Sequence, residues 1–205
     1  FLGWYDNAAF TGTAISSFPA MDAAPKTFYA KWSSANNYSV TYTLNDSTPA
    51  GHPATNPNTV TSYTVLDPNV TLAPATRTGY DFEGWYDNPG FTGTPITGFP
   101  TNDAADKHYY AKWSAAKSYT VQWHLNDSAP AGHPASNPNT VASYTVEDAD
   151  LTVHPATRTG YTFEGWYDNA AFSGAPITSF PAMDAAAKTF YAKWSAPNNY
   201  AVAYT

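Results

Sequence analysis

Apolar side chains alternate with polar ones along short stretches of the chain, and this alternation predicts β-strands. One stretch places Tyr38, Val40, Tyr42 and Leu44 at every second position. A period of two residues is typical of a strand that buries one face and exposes the other. The polar residues between these four positions are therefore expected to face solvent.

The chain repeats with a fixed step of 81 residues, as the spacing of Trp4, Trp85 and Trp166 shows. A constant period of this size indicates tandem copies of one folding unit. We predict the C-terminal part of a repeat at 1–37 (the first copy), full repeats at 38–118 (the middle copy) and 119–199 (the last copy), and the first strand of a following repeat at 200–205.

Within the middle copy, the pattern predicts several more short elements. Strands are expected at 62–65, within 67–72 after a turn, in the aromatic block 80–86 and at 108–113. Gly84 interrupts the aromatic block, and a glycine inside a strand often marks a bulge. The spacing of Ile96 and Phe99 allows one short helical turn.

Two connections bear on function. The polar loop 45–58 is long for a hairpin, and loops of this length are either functional or mobile. The linker 114–118 is short, so neighbouring copies are expected to swing little. The aromatic residues of the first copy are expected to be buried, either against the strand that follows or against a neighbouring chain.

Composition excludes several classes of protein. Charged residues make up 12% of the chain and aromatic residues 17%, so aromatic side chains must supply much of the core area. The net charge is −7 and no basic patch occurs, which argues against nucleic-acid binding. The sequence has no apolar run near the ~18 residues of a membrane-spanning helix, so membrane insertion is not expected.

The sequence also lacks the usual signs of chemistry. There are no cysteines, and no two histidines have the spacing of metal ligands. No phosphate-binding loop or nucleophile motif occurs. We therefore expect no metal, no cofactor and no enzymatic activity.

Two aromatic motifs in each full copy resemble a known family. Gly-Tyr-x-Phe-x-Gly-Trp-Tyr is followed by Tyr-Ala-Lys-Trp at 79–86 and 110–113, and again at 160–167 and 191–194. The first copy has the end of the first motif within 1–6 and the whole second motif at 29–32. This combination resembles the Listeria–Bacteroides repeat family, also called the internalin B-repeat, over nearly the whole chain.

The resemblance implies a β-rich α+β fold, with small ubiquitin-like or β-grasp units repeated in a linear array. It also implies an extracellular location on the bacterial cell surface, as in adhesins, and it supplies no catalytic residue. The loop 45–58 looks longer than in a typical member, so no role for this loop is inherited from the family.

Trp85 and Trp166 are candidate contact residues, together with Glu83 and Glu164 beside them. If their indole rings are exposed, they are platforms for stacking on sugars. If the rings are buried, they belong to the core or to the contact with the next copy. A small unit that is short of core volume favours burial.

Tyr110 and Lys112, with their counterparts Tyr191 and Lys193, lie on the predicted outer face of a strand. They are candidates for contact with a ligand or with a neighbouring repeat. Two interpretations of the lysines are open: an isopeptide bond to a nearby Asn or Glu side chain, or the solvated state that is usual for lysine.

These observations predict a non-enzymatic tandem-repeat region of a bacterial cell-surface protein or adhesin. Its expected role is a semi-rigid stalk or spacer that also makes weak multivalent protein contacts. The expected partners are neighbouring repeats of the chain, and host or cell-surface proteins or glycans. One alternative is a carbohydrate- or receptor-binding module that uses exposed aromatic residues and the loop 45–58. Another is a fibre subunit that pairs end to end through its terminal part-repeats.

Overall fold

A computed structural model describes residues 1–48 and 50–204. Pro49, within the loop 45–58, and Thr205, the last residue of the predicted strand 200–205, lie outside the described residues. In the described part, nearly all regular structure is β, and no α-helix occurs. The β-rich part of the predicted fold class is therefore confirmed, whereas its α+β part is not supported.

The strands are short and recur at the same positions in each copy. The first copy contains β1 (Gly3–Tyr5) and β2 (Tyr29–Lys31). The middle copy contains β3 (Tyr38–Thr43), β4 (Ala54–Thr55), β5 (Ser62–Tyr63), β6 (Val70–Thr71), β7 (Thr76–Arg77), β8 (Phe82–Tyr86), β9 (Gly98–Phe99) and β10 (Lys107–Trp113). The last copy contains β11 (Tyr119–His124), β12 (Ala135–Ser136), β13 (Ser143–Tyr144), β14 (Leu151–Thr152), β15 (Thr157–Arg158), β16 (Phe163–Tyr167), β17 (Ser179–Phe180) and β18 (Lys188–Trp194).

The chain divides into two compact units, and the division runs through the middle copy. One unit contains Phe1–Thr41, Thr59–Thr71 and Gly98–Lys107. The other contains Tyr42–Asn58, Leu72–Thr97 and His108–Thr205. The last copy lies entirely in the second unit, so it shows most clearly how one copy folds.

The last copy is built on a four-stranded mixed sheet with the order β13-β11-β18-β16. The first strand of the copy, β11, runs parallel to its last strand, β18, at the centre of this sheet. The outer strands β13 and β16 pair with them in antiparallel fashion. Two small antiparallel pairs, β12 with β15 and β14 with β17, order the connections.

A bulge in β16 confirms the prediction made from the glycine in the aromatic block. Phe163 pairs with Trp194 and Gly165 pairs with Lys193, so Glu164 is an extra residue on one strand. Gly165 has a φ of +134°, and a Cβ there would lie 2.6 Å from Pro176. Glycine is therefore required by both backbone angle and space. Gly84 occupies the same bulge in β8.

Trp166 lies at the centre of the core of the last copy and is 1% exposed. Trp123, on β11, packs edge-on against it with ring centroids 4.9 Å apart, and it also stacks on Phe190. The indole N–H of Trp166 donates to the carbonyl of His154 at 2.8 Å, so the buried ring keeps its hydrogen bond. Only residues of the last copy form this core cluster.

Trp85 has the same environment in the middle copy and is also 1% exposed. Tyr42 takes the place of Trp123 and meets Trp85 edge-on at 5.4 Å. The hydroxyl of Tyr42 is buried without a hydrogen-bond partner among the described residues. Burial raises the pKa of Tyr42 above its ordinary value, because it disfavours the charged form of the phenol.

The aromatic residues of the first copy are not buried within the chain, so the expected burial against the strand that follows is wrong. Trp4 is 48% exposed and Trp32 is 69% exposed. The reason is visible in the last copy, where β11 covers Trp166, because residues 1–37 contain no counterpart of β11. Burial against a neighbouring chain stays a prediction. At the other end, residues 200–204 are exposed and belong to no strand.

The helical turn predicted from Ile96 and Phe99 is also wrong. The backbone N–H of Ile96 donates to the carbonyl of Trp85 at 2.7 Å, and Gly98–Phe99 forms β9. Prolines at 95 and 100 favour this extended course over a helix. In the described part of the chain, the one helical element is the 3₁₀ turn Ala182–Asp184 of the last copy.

Trp166→Ala is expected to lower the free energy of unfolding of the last copy by about 3–5 kcal/mol, because it leaves a large cavity at the centre of the core. Trp4→Ala is the matched control and should cost much less, because Trp4 is half exposed. The unfolding free energies of both variants can be measured by urea unfolding that is monitored through amide exchange in the last copy. Equal losses in the two variants would show that Trp166 is not a core residue.

Tyr42→Phe is expected to leave the unfolding free energy unchanged or to raise it by up to about 1 kcal/mol, because it removes a buried hydroxyl that has no described partner. Tyr63→Phe is the control in the same copy, since the Tyr63 hydroxyl donates to the carbonyl of Ala105 at 2.6 Å. This second change should destabilise by about 1 kcal/mol. A loss of stability in Tyr42→Phe as large as in Tyr63→Phe contradicts the assignment.

Candidate functional site

The two candidate tryptophans are buried core residues and not exposed platforms for sugars. Trp85 and Trp166 are both 1% exposed, so their ring faces are inside the units and are not accessible to a sugar. Their neighbours Glu83 and Glu164 are on the surface, because the bulge turns these side chains away from the core.

The candidate lysines form ion pairs with these glutamates. Lys112 Nζ lies 3.0 Å from Glu83 Oε2, and Lys193 Nζ lies 3.1 Å from Glu164 Oε2. In each case the hydrogen bond to the glutamate raises the pKa of the lysine. These separations are those of an ion pair. Because the pairs are exposed, they add little to stability.

The tyrosine next to each lysine stacks on an imidazole. Tyr110 stacks on His108 with ring centroids 4.3 Å apart, and Tyr191 stacks on His124 at 4.7 Å. His108 lies on the same strand as its tyrosine, whereas His124 lies on the neighbouring parallel strand. The two full copies thus present the same stacked pair from different strands.

The histidine and the threonine near this stacked pair occupy opposite sequence positions in the two full copies. In the middle copy, Thr43 lies 2.8 Å from His108 Nε2. In the last copy, histidine stands at the position equivalent to 43 and threonine at the position equivalent to 108, as His124 and Thr189. The alignment of the two copies at the 81-residue step was the signal that could have linked His108 with His124.

A buried arginine orders the loop 45–58. Arg77 Nε donates to the carbonyl of His52 at 2.9 Å, and a terminal nitrogen of Arg77 donates to the carbonyl of Thr48 at 3.1 Å. Asp46 accepts from the backbone N–H of Ala54 at 2.7 Å. Arg158 holds the equivalent loop of the last copy in the same way. Sequence reasoning missed this role, although the arginine occupies the same position of both full copies.

The middle and last copies meet at a turn that follows β7. Gly79 has a φ of +81°, and a Cβ at this position would overlap both γ-methyl groups of Val146 in the last copy. Val146 is 2% exposed, although it lies outside the core cluster of its own copy. We call this contact of residues 79–81 with residues 146–147 the repeat joint.

Tyr80 adds a polar contact to the repeat joint. Its hydroxyl donates to Glu147 Oε1 at 2.6 Å, and the Arg77 guanidinium lies 4.1 Å from the centre of its ring. Burial and, after it, the hydrogen bond to Glu147 raise the pKa of Tyr80 to about 12. The phenol is therefore neutral and donates this hydrogen bond throughout the physiological pH range.

The linker 114–118 is tied to the same turn. The backbone N–H of Ser114 donates to the carbonyl of Asp81 at 3.0 Å, and that of Lys117 donates to the carbonyl of Gly79 at 2.8 Å. Lys117 Nζ also pairs with the Asp81 carboxylate at 2.6 Å. Residues 79–81 thus contact both the linker and the next copy, which limits the freedom of the chain between them.

The counterparts of the joint residues in the other copies do not contact a neighbouring described copy, and they are more exposed than the joint residues. Gly160, the counterpart of Gly79, has open space where a Cβ would lie, with no atom of the described residues within 4 Å of that position. Val65, the counterpart of Val146, is 41% exposed, and Leu66, the counterpart of Glu147, is 82% exposed. The burial of Gly79 and Val146 therefore comes from the joint and not from the fold of either copy.

Comparison with known proteins identifies the repeats. The family model of the Listeria–Bacteroides repeat domain matches residues 38–112 and again residues 119–193. The chain belongs to this family. The two matches begin at β3 and β11 and end inside β10 and β18, so each Listeria–Bacteroides repeat spans the sheet from its first strand to its last.

Longer relatives carry similar sequence. The chain is 29% identical over 205 residues to a protein of Evansella cellulosilytica named “Putative membrane protein”, covering 97% of this chain and 28% of that protein. It is 33% identical over 137 residues to a “Putative Gly-rich membrane protein” of the same organism, covering 62% of this chain and 15% of that protein. The chain thus spans about a quarter or less of the relatives it matches.

One solved structure is also similar in part. It contains SHIRT domains 3–4 of a streptococcal cell surface protein, with 14% identity and a TM-score of 0.16, covering 77% of this chain and 96% of that one. At this score the likeness carries no weight for the fold. No helix in the described part of the Listeria–Bacteroides repeats is both long and apolar enough to cross a membrane.

Gly79→Ala is expected to destabilise the chain by about 1–3 kcal/mol more than Gly160→Ala. Both changes place a side chain at a positive φ, which costs a similar amount at each position. Only the methyl group at position 79 meets Val146 and forces the joint apart. Urea unfolding of the two variants and the unchanged chain provides the comparison. Losses of the same size would mean that the joint contributes nothing to stability.

Proposed function

We propose that these repeats form a non-enzymatic spacer, or stalk, in a bacterial cell-surface protein. The observation that supports this most directly is the repeat joint, in which Gly79 packs on Val146 and Tyr80 donates to Glu147. A joint of packed and hydrogen-bonded side chains restricts the angle between neighbouring copies more than a free linker does. A series of such joints keeps a distal part of a protein away from the cell.

The proposal includes a β-grasp fold for each copy, with boundaries at 37/38, 118/119 and 199/200. Support comes from the last copy, where the first strand of the copy, β11, is parallel to its last strand, β18, at the centre of the sheet. This is the central pair of a β-grasp sheet. In the last copy the connection between the hairpins uses short β pairs instead of the usual helix.

Location at the cell surface is supported by membership of the repeat family and by relatives that are named as membrane proteins. Those relatives are much longer than this chain, so they have room for other regions beside the repeats.

A role without catalysis is supported by the state of the polar side chains. The candidate lysines pair with the candidate glutamates, as Lys112 does with Glu83 and Lys193 does with Glu164. In the described part of the chain, no group of three or more metal-ligating side chains has the geometry to hold an ion.

The outer face of each full copy is the proposed surface for weak protein contacts. It presents the Tyr–His stack and the Lys–Glu ion pair side by side, as Tyr110 with His108 and Lys112 with Glu83 in the middle copy. Because the same surface recurs once per copy, an array gains avidity from contacts that are weak singly.

The spacer role predicts a narrow distribution of distances between equivalent points on the two full copies. The chain has no cysteine, so spin labels can be attached to Thr94→Cys and Ala175→Cys, which replace equivalent exposed residues. Pulsed dipolar spectroscopy should give one narrow distance peak. Adding Val146→Asp should broaden it, because a carboxylate cannot remain buried against Gly79 without a partner.

Val65→Asp is the matched control, because Val65 occupies the same position of the middle copy but is 41% exposed. It should leave the distance peak narrow. The amide spectrum of the last copy shows whether Val146→Asp still folds. A broad distribution in the chain without joint mutations would rule out the spacer mechanism.

A further inference from the structure

A groove of 330 Å³ opens beside the repeat joint. Trp113, Phe91 and Tyr80 supply aromatic surface, and Asn45, Ser114 and Glu147 supply polar groups. We propose that this groove binds a neutral oligosaccharide. The inference deepens the spacer function and rests on the joint described above, because Glu147 comes from the last copy and the other residues come from the middle copy.

Trp113 provides the larger aromatic surface. It is half-buried at the end of β10, packs edge-on against Phe82 at 5.4 Å and donates its indole N–H to the carbonyl of Leu44 at 2.7 Å. These contacts fix the orientation of the ring while part of it remains accessible. A fixed, partly exposed indole is suited to stacking on the apolar face of a sugar, since the ring loses no freedom when the ligand binds.

Phe91 at the rim has a backbone conformation that is costly for its residue type. Its φ is +52°, and the equivalent Phe10 and Phe172 have φ values of 52° and 56°. Asn88 holds this turn by accepting from the backbone N–H of Thr92 at 3.0 Å. Glycine or asparagine adopts a positive φ more easily than a bulky residue. In all three copies the phenylalanine ring packs edge-on against the tyrosine of the aromatic block, as Phe91 does on Tyr86 at 5.6 Å, and this contact fixes the ring at the rim of the groove.

The charges that line the groove balance one another. Lys112 pairs with Glu83, and the other two charged side chains of the lining, Arg77 and Glu147, have opposite signs. An anionic or cationic ligand therefore meets no net charge of opposite sign. A ligand that offers hydroxyl groups and apolar ring faces suits this surface better.

Acceptors for sugar hydroxyls remain in the groove. Tyr80 uses one carboxylate oxygen of Glu147, and Asn45 uses its side-chain N–H on the carbonyl of Ala111 at 2.9 Å. The other oxygen of Glu147 and the side-chain oxygen of Asn45 accept no hydrogen bond from the described residues. A volume of 330 Å³ is at the lower end of the range for small-molecule sites, which suits a short stretch of saccharide.

The last copy supplies a matched reference for this groove. It has Asn126, Phe172, Trp194 and Ser195 at the positions of the middle-copy residues. The position equivalent to Glu147 falls beyond residue 205, so within this chain only the middle copy has a groove closed by the next copy. Each further joint in an array would add one such groove, and binding would gain avidity.

The test is a titration of the full 205-residue chain with neutral trisaccharides, in which binding is monitored by the NMR resonances of the amides and indoles. The probes are cellotriose, tri-N-acetylchitotriose and mannotriose, with trigalacturonate as the anionic comparison. At least one neutral probe should shift the indole N–H of Trp113 and the amide of Ser114, and it should bind more tightly than trigalacturonate. Phe91→Ala should weaken this binding about tenfold, because it removes one aromatic contact.

Phe172→Ala is the control, since it removes the same ring from the same strained turn in the last copy, and it should leave the affinity unchanged. The proposal is overturned if no neutral probe shifts Trp113 and Ser114, if trigalacturonate binds more tightly, or if Phe172→Ala weakens binding as much as Phe91→Ala. None of these outcomes affects the label distance between the copies, so failure of the groove and failure of the spacer are distinguishable.

Discussion

The burial of one tryptophan per full copy is the interaction on which the rest of the structure depends. A unit of this size without an α-helix has few large side chains to place inside, and one indole supplies much of the buried apolar area. Trp166 is covered by Trp123 from the first strand, and Trp123 in turn stacks on Phe190 from the last strand. The core therefore closes only when the two ends of a copy pair as parallel strands at the centre of the sheet.

The first copy shows what happens without this closure. It has the same aromatic block and the same final strand, and β1 pairs with β2 in the usual register. Trp4 nevertheless remains 48% exposed. The aromatic motif is thus not sufficient for burial. The strand that begins each copy is also required, and it lies more than sixty residues away from the strand with which it pairs.

The longer strands and the bulge could be predicted from sequence, because they follow from local alternation and from a single glycine. In contrast, a helical turn was predicted where β9 lies, and the strand predicted at 200–205 is not observed in residues 200–204. The strand predicted at 108–113 is observed as Lys107–Trp113 with Ala111 fully buried. The role of Arg77 could not be predicted in this way, because its partners are backbone carbonyls of a loop that no side-chain pattern marks. The repeat joint could not be predicted from the sequence for a similar reason. Gly79 looks like an ordinary turn residue until Val146 is placed against it.

The family motif therefore serves two purposes in one short segment. Its Gly-Trp-Tyr part forms the bulge and the core, whereas its first two residues, Gly79 and Tyr80 in the middle copy, form the contact with the next copy. Folding and connection are consequently encoded within eight residues, and a change in this segment affects both.

The joint and the proposed groove are also linked energetically. A ligand that contacts Trp113 on one copy and Glu147 on the next binds only while the joint is closed. Closure of the joint therefore favours ligand binding by a certain free energy. By thermodynamic linkage, the bound ligand favours closure of the joint by the same free energy. In the proposed function, a spacer of this kind becomes stiffer when its grooves are occupied. The proposed ligand binding and the proposed stiffness then both depend on the contact between Tyr80 and Glu147, and they do not require separate sites.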